Sequence, residues 1–125
     1  MPWNANFEPD SQSLEVIFCG VCTMEELIGA VMYSLDFSNQ TGTMRFLVDL
    51  KDFQSNDAAP ILNAYNLGKL YEDLNVSKSI REAIVAPPDP EIWTALKFFE
   101  ITAQNRYYQV RVFADGQEAR AWLMD

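Results

Sequence analysis

Two cysteines with a spacing found in redox enzymes are the first candidates for chemistry. The motif Cys-Gly-Val-Cys at positions 19–22 stands between a predicted strand and a predicted helix, as in thioredoxin-like proteins. In those proteins the N-terminus of the helix lowers the pKa of the nucleophilic thiol. Here Thr23, three residues before Glu26, predicts a capping box that leaves both cysteines outside the helix. We therefore interpret them as structural, with a thiol-disulfide oxidoreductase using Cys19 and Cys22 as the alternative.

Three aspartates form a second candidate group. Asp49, Asp52 and Asp57 follow a predicted central strand, and ligands of open α/β sheets bind at the carboxyl ends of strands. A divalent cation or a phosphorylated aspartate, as in receiver domains, would fit such a cluster. Receiver domains also need an acidic pair after the first strand and a lysine after the last, which the segments 19–23 and 114–117 do not supply. We interpret the aspartates as turn and cap residues and predict no metal site.

The composition excludes several classes of function. The 125 residues include no histidine, which removes the usual general base and the commonest zinc ligand. Nine basic against 18 acidic residues give a net charge of -9, which repels nucleic acids and anionic membranes. No apolar run approaches the roughly 20 residues of a membrane span. We expect a cytoplasmic protein, one domain over residues 1–125, with no catalytic residues, no cofactor and no membrane insertion.

The order of elements predicts a single α/β domain. Strands are predicted over residues 3–8, 14–20, 44–50, 80–86 and 108–113. Helices are predicted from Thr23 to about Phe37, from Asp57 with Pro60 in its first turn, from Asp89 to about Gln104, and after Asp115. The first helix should bury one apolar stripe, formed by Leu27, Ile28, Val31, Met32 and Leu35. Alternating strands and helices favour a mixed, mostly parallel sheet of about five strands with four helices and an antiparallel edge.

Three segments resemble a known family. The strings MRFLVDLKDF from Met44, REAIVAPPDPEIWTALKFFE from Arg81 and VRVFADGQEARAWL from Val110 resemble those of the SpoIIAA-like proteins, a branch of the STAS superfamily. The resemblance covers about residues 14–123. It implies a STAS-type mixed sheet with packed helices, and a non-enzymatic regulatory domain that binds a protein or a small apolar molecule.

The resemblance also directs attention to a possible phosphorylation site. Relatives that act as anti-sigma-factor antagonists are phosphorylated on a serine at the start of the helix after the Val-Asp-Leu strand. An ungapped comparison puts Ala58 and Ala59 at the positions of the family's serine pair, so we predict no specific phosphorylation. A shift of three residues would offer Ser55 instead, although this serine is better interpreted as a loop residue. Ser55 and Asp57 are the candidate partner-binding residues of this segment.

The third predicted helix provides a second candidate surface for a partner. If Ile92, Leu96 and Phe99 face the sheet, helical geometry places Phe98 and Ile101 close to the opposite side. Two large apolar side chains on a solvated face suggest an interface or a lid over a pocket, although scattered exposed apolar residues are common. We predict a homodimer through Phe98 and Ile101, since symmetric dimers are the commonest oligomers.

Overall fold

The computed structural model describes residues 2–54 and 67–125 in full and the backbone of residues 60–66. The described chain forms five strands and four helices. In chain order they are β1 (Trp3–Glu8), β2 (Ser13–Val21), α1 (Met24–Thr41), β3 (Arg45–Gln54), α2 (Pro60–Asp73), β4 (Arg81–Val85), α3 (Pro90–Asn105), β5 (Gln109–Phe113) and α4 (Gly116–Met124). Within these ranges no helix has the length and apolar composition needed to cross a bilayer.

The strands form one mixed sheet in the order β1-β2-β3-β4-β5. β1 pairs with β2 in the antiparallel direction, and every later pair is parallel. Parallel neighbours require a crossover, and each crossover here contains a helix. The predicted fold class, the central position of β3 and the antiparallel edge are all confirmed.

The first helix begins as predicted but ends later. Thr23 and Glu26 form the capping box, with the Thr23 hydroxyl accepting from the Glu26 N–H and the Glu26 carboxylate accepting from the Thr23 N–H. The predicted end near Phe37 is wrong, because the polar residues that follow stay helical. The buried Ser38 hydroxyl donates to the Thr43 carbonyl, and the helix ends at Gly42, which adopts the left-handed conformation at φ 77°.

The prediction that the third strand ends at Leu50 is also wrong, since β3 continues to Gln54. The pairing with β2 is interrupted by an irregularity between Ile17 and Cys19 and then resumes. After it, Cys19 lies opposite Asp52 and Val21 lies opposite Gln54. The polar residues at the end of β3 therefore remain extended because their backbone groups have partners on β2.

The last two helices begin where the sequence predicts. Pro60 is the first residue of α2, while the predicted cap Asp57 lies outside the described residues. Asp89 caps α3 by accepting from the N–H groups of Glu91 and Ile92. Asp115 caps α4 by accepting from the Gln117 N–H. These caps fix where each helix leaves the carboxyl edge of the sheet.

The two faces of the sheet pack against different helices. One face lies under α1, α2 and α3 and carries the larger core cluster. The other face packs against α4 through a smaller cluster that includes Leu47, Ala83 and Leu123. The apolar stripe predicted to be buried on α1 is only half-buried, and its member Met32 is exposed. The difference arises because Leu27, Val31 and Leu35 border a cavity on their inner side.

Candidate ligand-binding cavity

A partly open cavity of about 350 Å³ lies between α1, α2, α3 and the sheet. Nearly all of its described lining is apolar. α1 contributes Leu27, Val31 and Leu35, and the sheet contributes Phe46, Val48 and Ile84. Leu67 of α2 and Ile92 and Leu96 of α3 line the remaining sides. Such a partly open apolar space, with few polar groups, is typical of sites for small ligands.

Small residues of α1 leave space between this helix and the sheet. Only two residues of α1, Ala30 and Ser38, are buried. Ala30 and Ser34 face the cavity one helical turn apart, and both are small. The space under α1 is therefore left unfilled by its own side chains.

One ionisable pair lies inside this apolar site. Glu82 of β4 lines the cavity and is only 8% exposed. Its neighbours across the sheet are Phe46 of β3 and Val110 of β5, both apolar. The Tyr71 hydroxyl of α2 donates to the Glu82 carboxylate and lies 2.9 Å and 3.2 Å from its two oxygens. Tyr71 is buried as well and packs edge-on against Phe99.

Burial changes the protonation of both groups. Loss of hydration raises the pKa of Glu82 from 4.5 to about 7, and the hydrogen bond from Tyr71 opposes this rise only in part. Burial and the neighbouring Glu82 carboxylate raise the pKa of Tyr71 well above its ordinary value. Near neutral pH the cavity thus contains a carboxyl group that exchanges readily between charged and neutral forms, held by a tyrosine that stays protonated.

The cysteine motif does not have the features of a redox site. Cys19 is exposed and Cys22 is buried, and no disulfide joins these two described residues. Burial, with a smaller contribution from the charge of Glu26, raises the pKa of the Cys22 thiol, the opposite of what a nucleophilic thiol needs. The Cys22 thiol lines the cavity and donates to the Thr23 carbonyl at 3.4 Å. The alternative of a thiol-disulfide oxidoreductase therefore has no support.

The two described aspartates of the second candidate group, Asp49 and Asp52, belong to no group of metal-ligating side chains among the described residues. The Asp49 carboxylate accepts from the Lys51 N–H at 3.0 Å, which matches the interpretation as a turn residue. The described part of the chain holds no group of three His, Cys, Asp or Glu side chains that could bind a metal ion. Asp57 lies outside that part.

Phe98 and Ile101, two of the predicted partner-binding residues, lie on the surface of α3. Phe98 and Ile101 are 41% and 55% exposed on the outer side of α3, and neither belongs to the described lining of the cavity. Their role as an interface or as a lid over a pocket stays a prediction. Ser55 and Asp57, together with the alanines at 58 and 59, lie outside the described residues.

Sequence reasoning missed Glu82. The residue stands in the apolar segment Arg-Glu-Ala-Ile-Val at positions 81–85, which was interpreted as a buried strand. Its side chain has the same orientation as that of Ile84, two residues later, toward the cavity. A glutamate in the interior of a predicted central strand was the available signal, because buried carboxylates are rare without a partner.

Comparisons with known proteins agree with this architecture. The family model described as SpoIIAA-like matches residues 20–124. The structure is similar to the crystal structure of an uncharacterized protein of the DUF3478 family, with a SpoIIAA-like fold, from Shewanella loihica PV-4, at a TM-score of 0.55. The two sequences are 19% identical, and the match covers 97% of this chain and 91% of that one. No curated protein matches the chain. The chain belongs to the SpoIIAA-like family.

Proposed function

We propose that this protein is a non-enzymatic binding domain whose ligand is a small apolar molecule held in the cavity between α1 and the sheet. The observation that carries the proposal is the volume of about 350 Å³ with its apolar lining. Since a water molecule occupies about 30 Å³ in the liquid, the space has room for roughly a dozen non-hydrogen atoms. Membership of the SpoIIAA-like family supports a regulatory, non-enzymatic domain in general terms.

Binding is favourable because the ligand covers apolar side chains that otherwise contact water. Leu27, Val31 and Leu35 of α1 are half-buried rather than buried, so a ligand can cover the part that remains accessible. Each apolar Å² removed from water contributes about 25 cal/mol. A hydrocarbon chain of about ten carbons fills this cavity. A suitable neutral probe is therefore 1-decanol.

Two tryptophan substitutions on α1 test this proposal. Leu27→Trp enlarges a side chain that lines the cavity, whereas Met32→Trp enlarges an exposed one on the same helix. Titration calorimetry with 1-decanol should detect saturable binding to the wild type and to Met32→Trp, with at least about tenfold weaker binding to Leu27→Trp. Binding that is equal in all three proteins, or absent from the wild type, would contradict the proposal. Circular dichroism checks that both variants fold.

A second candidate function is self-association through α3. The exposure of Phe98 and Ile101 favours it, since an isologous contact would bury both residues on each copy. The net charge of -9 opposes association, so the dimer should strengthen as salt screens the repulsion. A wild type that sediments as a monomer at tens of micromolar in moderate salt would eliminate this candidate.

Two double variants, one on α3 and a matched control on α4, extend the sedimentation experiment. Replacing Phe98 with Glu and Ile101 with Lys should shift sedimentation from dimer to monomer. Replacing Gln117 with Glu and Met124 with Lys introduces the same two charges at exposed positions of α4 and should leave the dimer intact. If both double variants dissociate, added charge rather than the α3 contact is responsible.

A further inference from the structure

We infer that the ligand of this cavity carries one basic amine, whose ammonium group pairs with the Glu82 carboxylate while its hydrocarbon part fills the apolar space. The inference rests on the proposed function and names the class of ligand. It begins from a carboxyl group that is nearly inaccessible to water and borders an apolar cavity.

Glu82 has no cationic partner among the described residues. The basic residues closest to it in sequence are engaged elsewhere. Arg81 stacks on the Trp122 ring at 4.2 Å and donates to the Trp122 carbonyl on the opposite face of the sheet. Lys78 lies 3.4 Å from the centre of the Tyr108 ring and pairs with Glu72. Neither cation compensates the buried carboxylate.

The hydrogen bonding of Glu82 is also incomplete within the described structure. An ionised carboxylate can accept about four hydrogen bonds, and Tyr71 supplies a single hydroxyl shared between the two oxygens. Because Glu82 lines the cavity, a ligand in the cavity can reach the acceptor sites that Tyr71 leaves open. A buried carboxylate with one donor is costly, and its raised pKa of about 7 reflects that cost.

Charge decides between the possible polar groups of an apolar ligand. An ammonium group donates up to three hydrogen bonds and supplies the positive charge that Glu82 lacks. An alcohol donates one hydrogen bond and leaves the charge uncompensated. A carboxylate brings a second negative charge, and the described lining includes no lysine or arginine to balance it. Hydrogen bonds between charged groups are roughly twice as strong as neutral ones, so the amine is preferred.

Three probes with the same hydrocarbon chain test the inference on the wild type. Decylamine, 1-decanol and decanoate differ only in the polar group, and their affinities are compared by titration calorimetry at about pH 8. Decylamine should bind at least about tenfold more tightly than 1-decanol, and decanoate at least about tenfold more weakly. If decanol binds and decylamine binds no more tightly, the inference is wrong and the proposed function stands. If none of the three binds, the proposed function itself fails.

Two variants that each remove one carboxylate test whether Glu82 is responsible for the preference for an amine. Glu82→Gln keeps the shape of the side chain, and it should reduce the affinity for decylamine to about the affinity for 1-decanol measured on the same variant. Glu91→Gln removes the same charge at an exposed position of α3 and should change neither affinity. A tenfold loss of amine binding in Glu91→Gln would attribute the preference to the overall negative charge and overturn the inference. The comparison of the three probes on the wild type tests the inference even if Glu82→Gln fails to fold.

Discussion

The two faces of the sheet are packed in different ways, and β4 contributes to both. Ala83 and Val85 point to the α4 face, where they join Leu123 in a cluster that is nearly inaccessible to solvent. Glu82 and Ile84 point to the opposite face and line a cavity. A single strand thus contributes buried apolar residues to one side and a buried carboxylate to the other.

The two faces are therefore expected to have different roles, one in stability and the other in binding. The side chains of the α4 cluster are nearly inaccessible to solvent, which makes a loss of volume there expensive. On the cavity face, residues of α1 border the cavity, and Glu82 is buried with no cationic partner among the described residues. We therefore expect substitutions on the α4 face to change stability, and substitutions on the cavity face to change binding and the pH dependence of stability.

The largest expected effect compares one leucine from each face. Leu123→Ala removes a side chain that is almost completely buried and should lower the free energy of unfolding by about 3 kcal/mol. Leu27→Ala removes a half-buried side chain that borders the cavity and should cost about 1 kcal/mol. Urea unfolding measures both values. Equal losses would mean that the cavity face is as closely packed as the α4 face.

The second prediction concerns the pH dependence of stability. The folded-state pKa of Glu82 is raised to about 7 from 4.5, so the folded protein binds more protons than the unfolded chain between these values. Stability should fall as the pH rises through this window, by about 3 kcal/mol at roughly 1.4 kcal/mol per pKa unit. Glu82→Gln should remove this loss and be more stable than the wild type at about pH 8.

Urea unfolding at about pH 5 and pH 8 measures this contribution. Other carboxylates also titrate, so the quantity of interest is the difference between the wild type and Glu82→Gln. The same pH dependence in both proteins would mean that Glu82 is better hydrated than its position among Phe46, Tyr71 and Val110 indicates.

A smaller effect should follow from removing the hydroxyl that holds Glu82. Tyr71→Phe deletes the donor to both carboxylate oxygens while keeping the ring that packs against Phe99. The loss of stability should be about 2 kcal/mol at pH 8, where the hydrogen bond is to a charged group, and about 1 kcal/mol at pH 5. A loss that does not depend on pH would show that the hydrogen bond does not distinguish the two forms of Glu82.

The smallest effect is expected on the outer side of α3. Replacing Phe98 with Glu and Ile101 with Lys changes two exposed positions outside both core clusters, and the stability of the monomer should change by no more than about 0.5 kcal/mol. Thermal unfolding at low protein concentration measures this value. Unfolding of the double variant would instead assign these residues to the core.

Local signals in the sequence predicted most of the fold. The Thr23–Glu26 capping box and the caps Asp89 and Asp115 act within a few residues, so they can be recognised without tertiary information. The end of β3 was missed because its polar residues stay extended only through pairing with β2. The end of α1 was missed because a buried contact of Ser38 with Thr43 extends the helix.

The cavity and its carboxylate could not be predicted in the same way. The apolar spacing of α1 shows which residues face inward, but not how far the helix lies from the sheet. That distance depends on α2 and α3 as well, and it decides whether Leu27 and Val31 are buried or border a cavity. Glu82 is a single polar residue in an apolar segment, and its importance depends on which helix covers it. The hydroxyl that donates to Glu82 belongs to Tyr71, on a different element of the chain.

The central claim is that ligands bind on the cavity face and not on the α4 face, and methyl NMR tests it most directly. With the methyl groups of Leu, Val and Ile labelled, titration with 1-decanol should produce saturable shifts at Leu27, Val31 and Ile84, which line the cavity. The methyl groups of Val85, which belongs to the α4 cluster, should stay unchanged. Shifts of equal size on both faces, or none that saturate, would contradict the account.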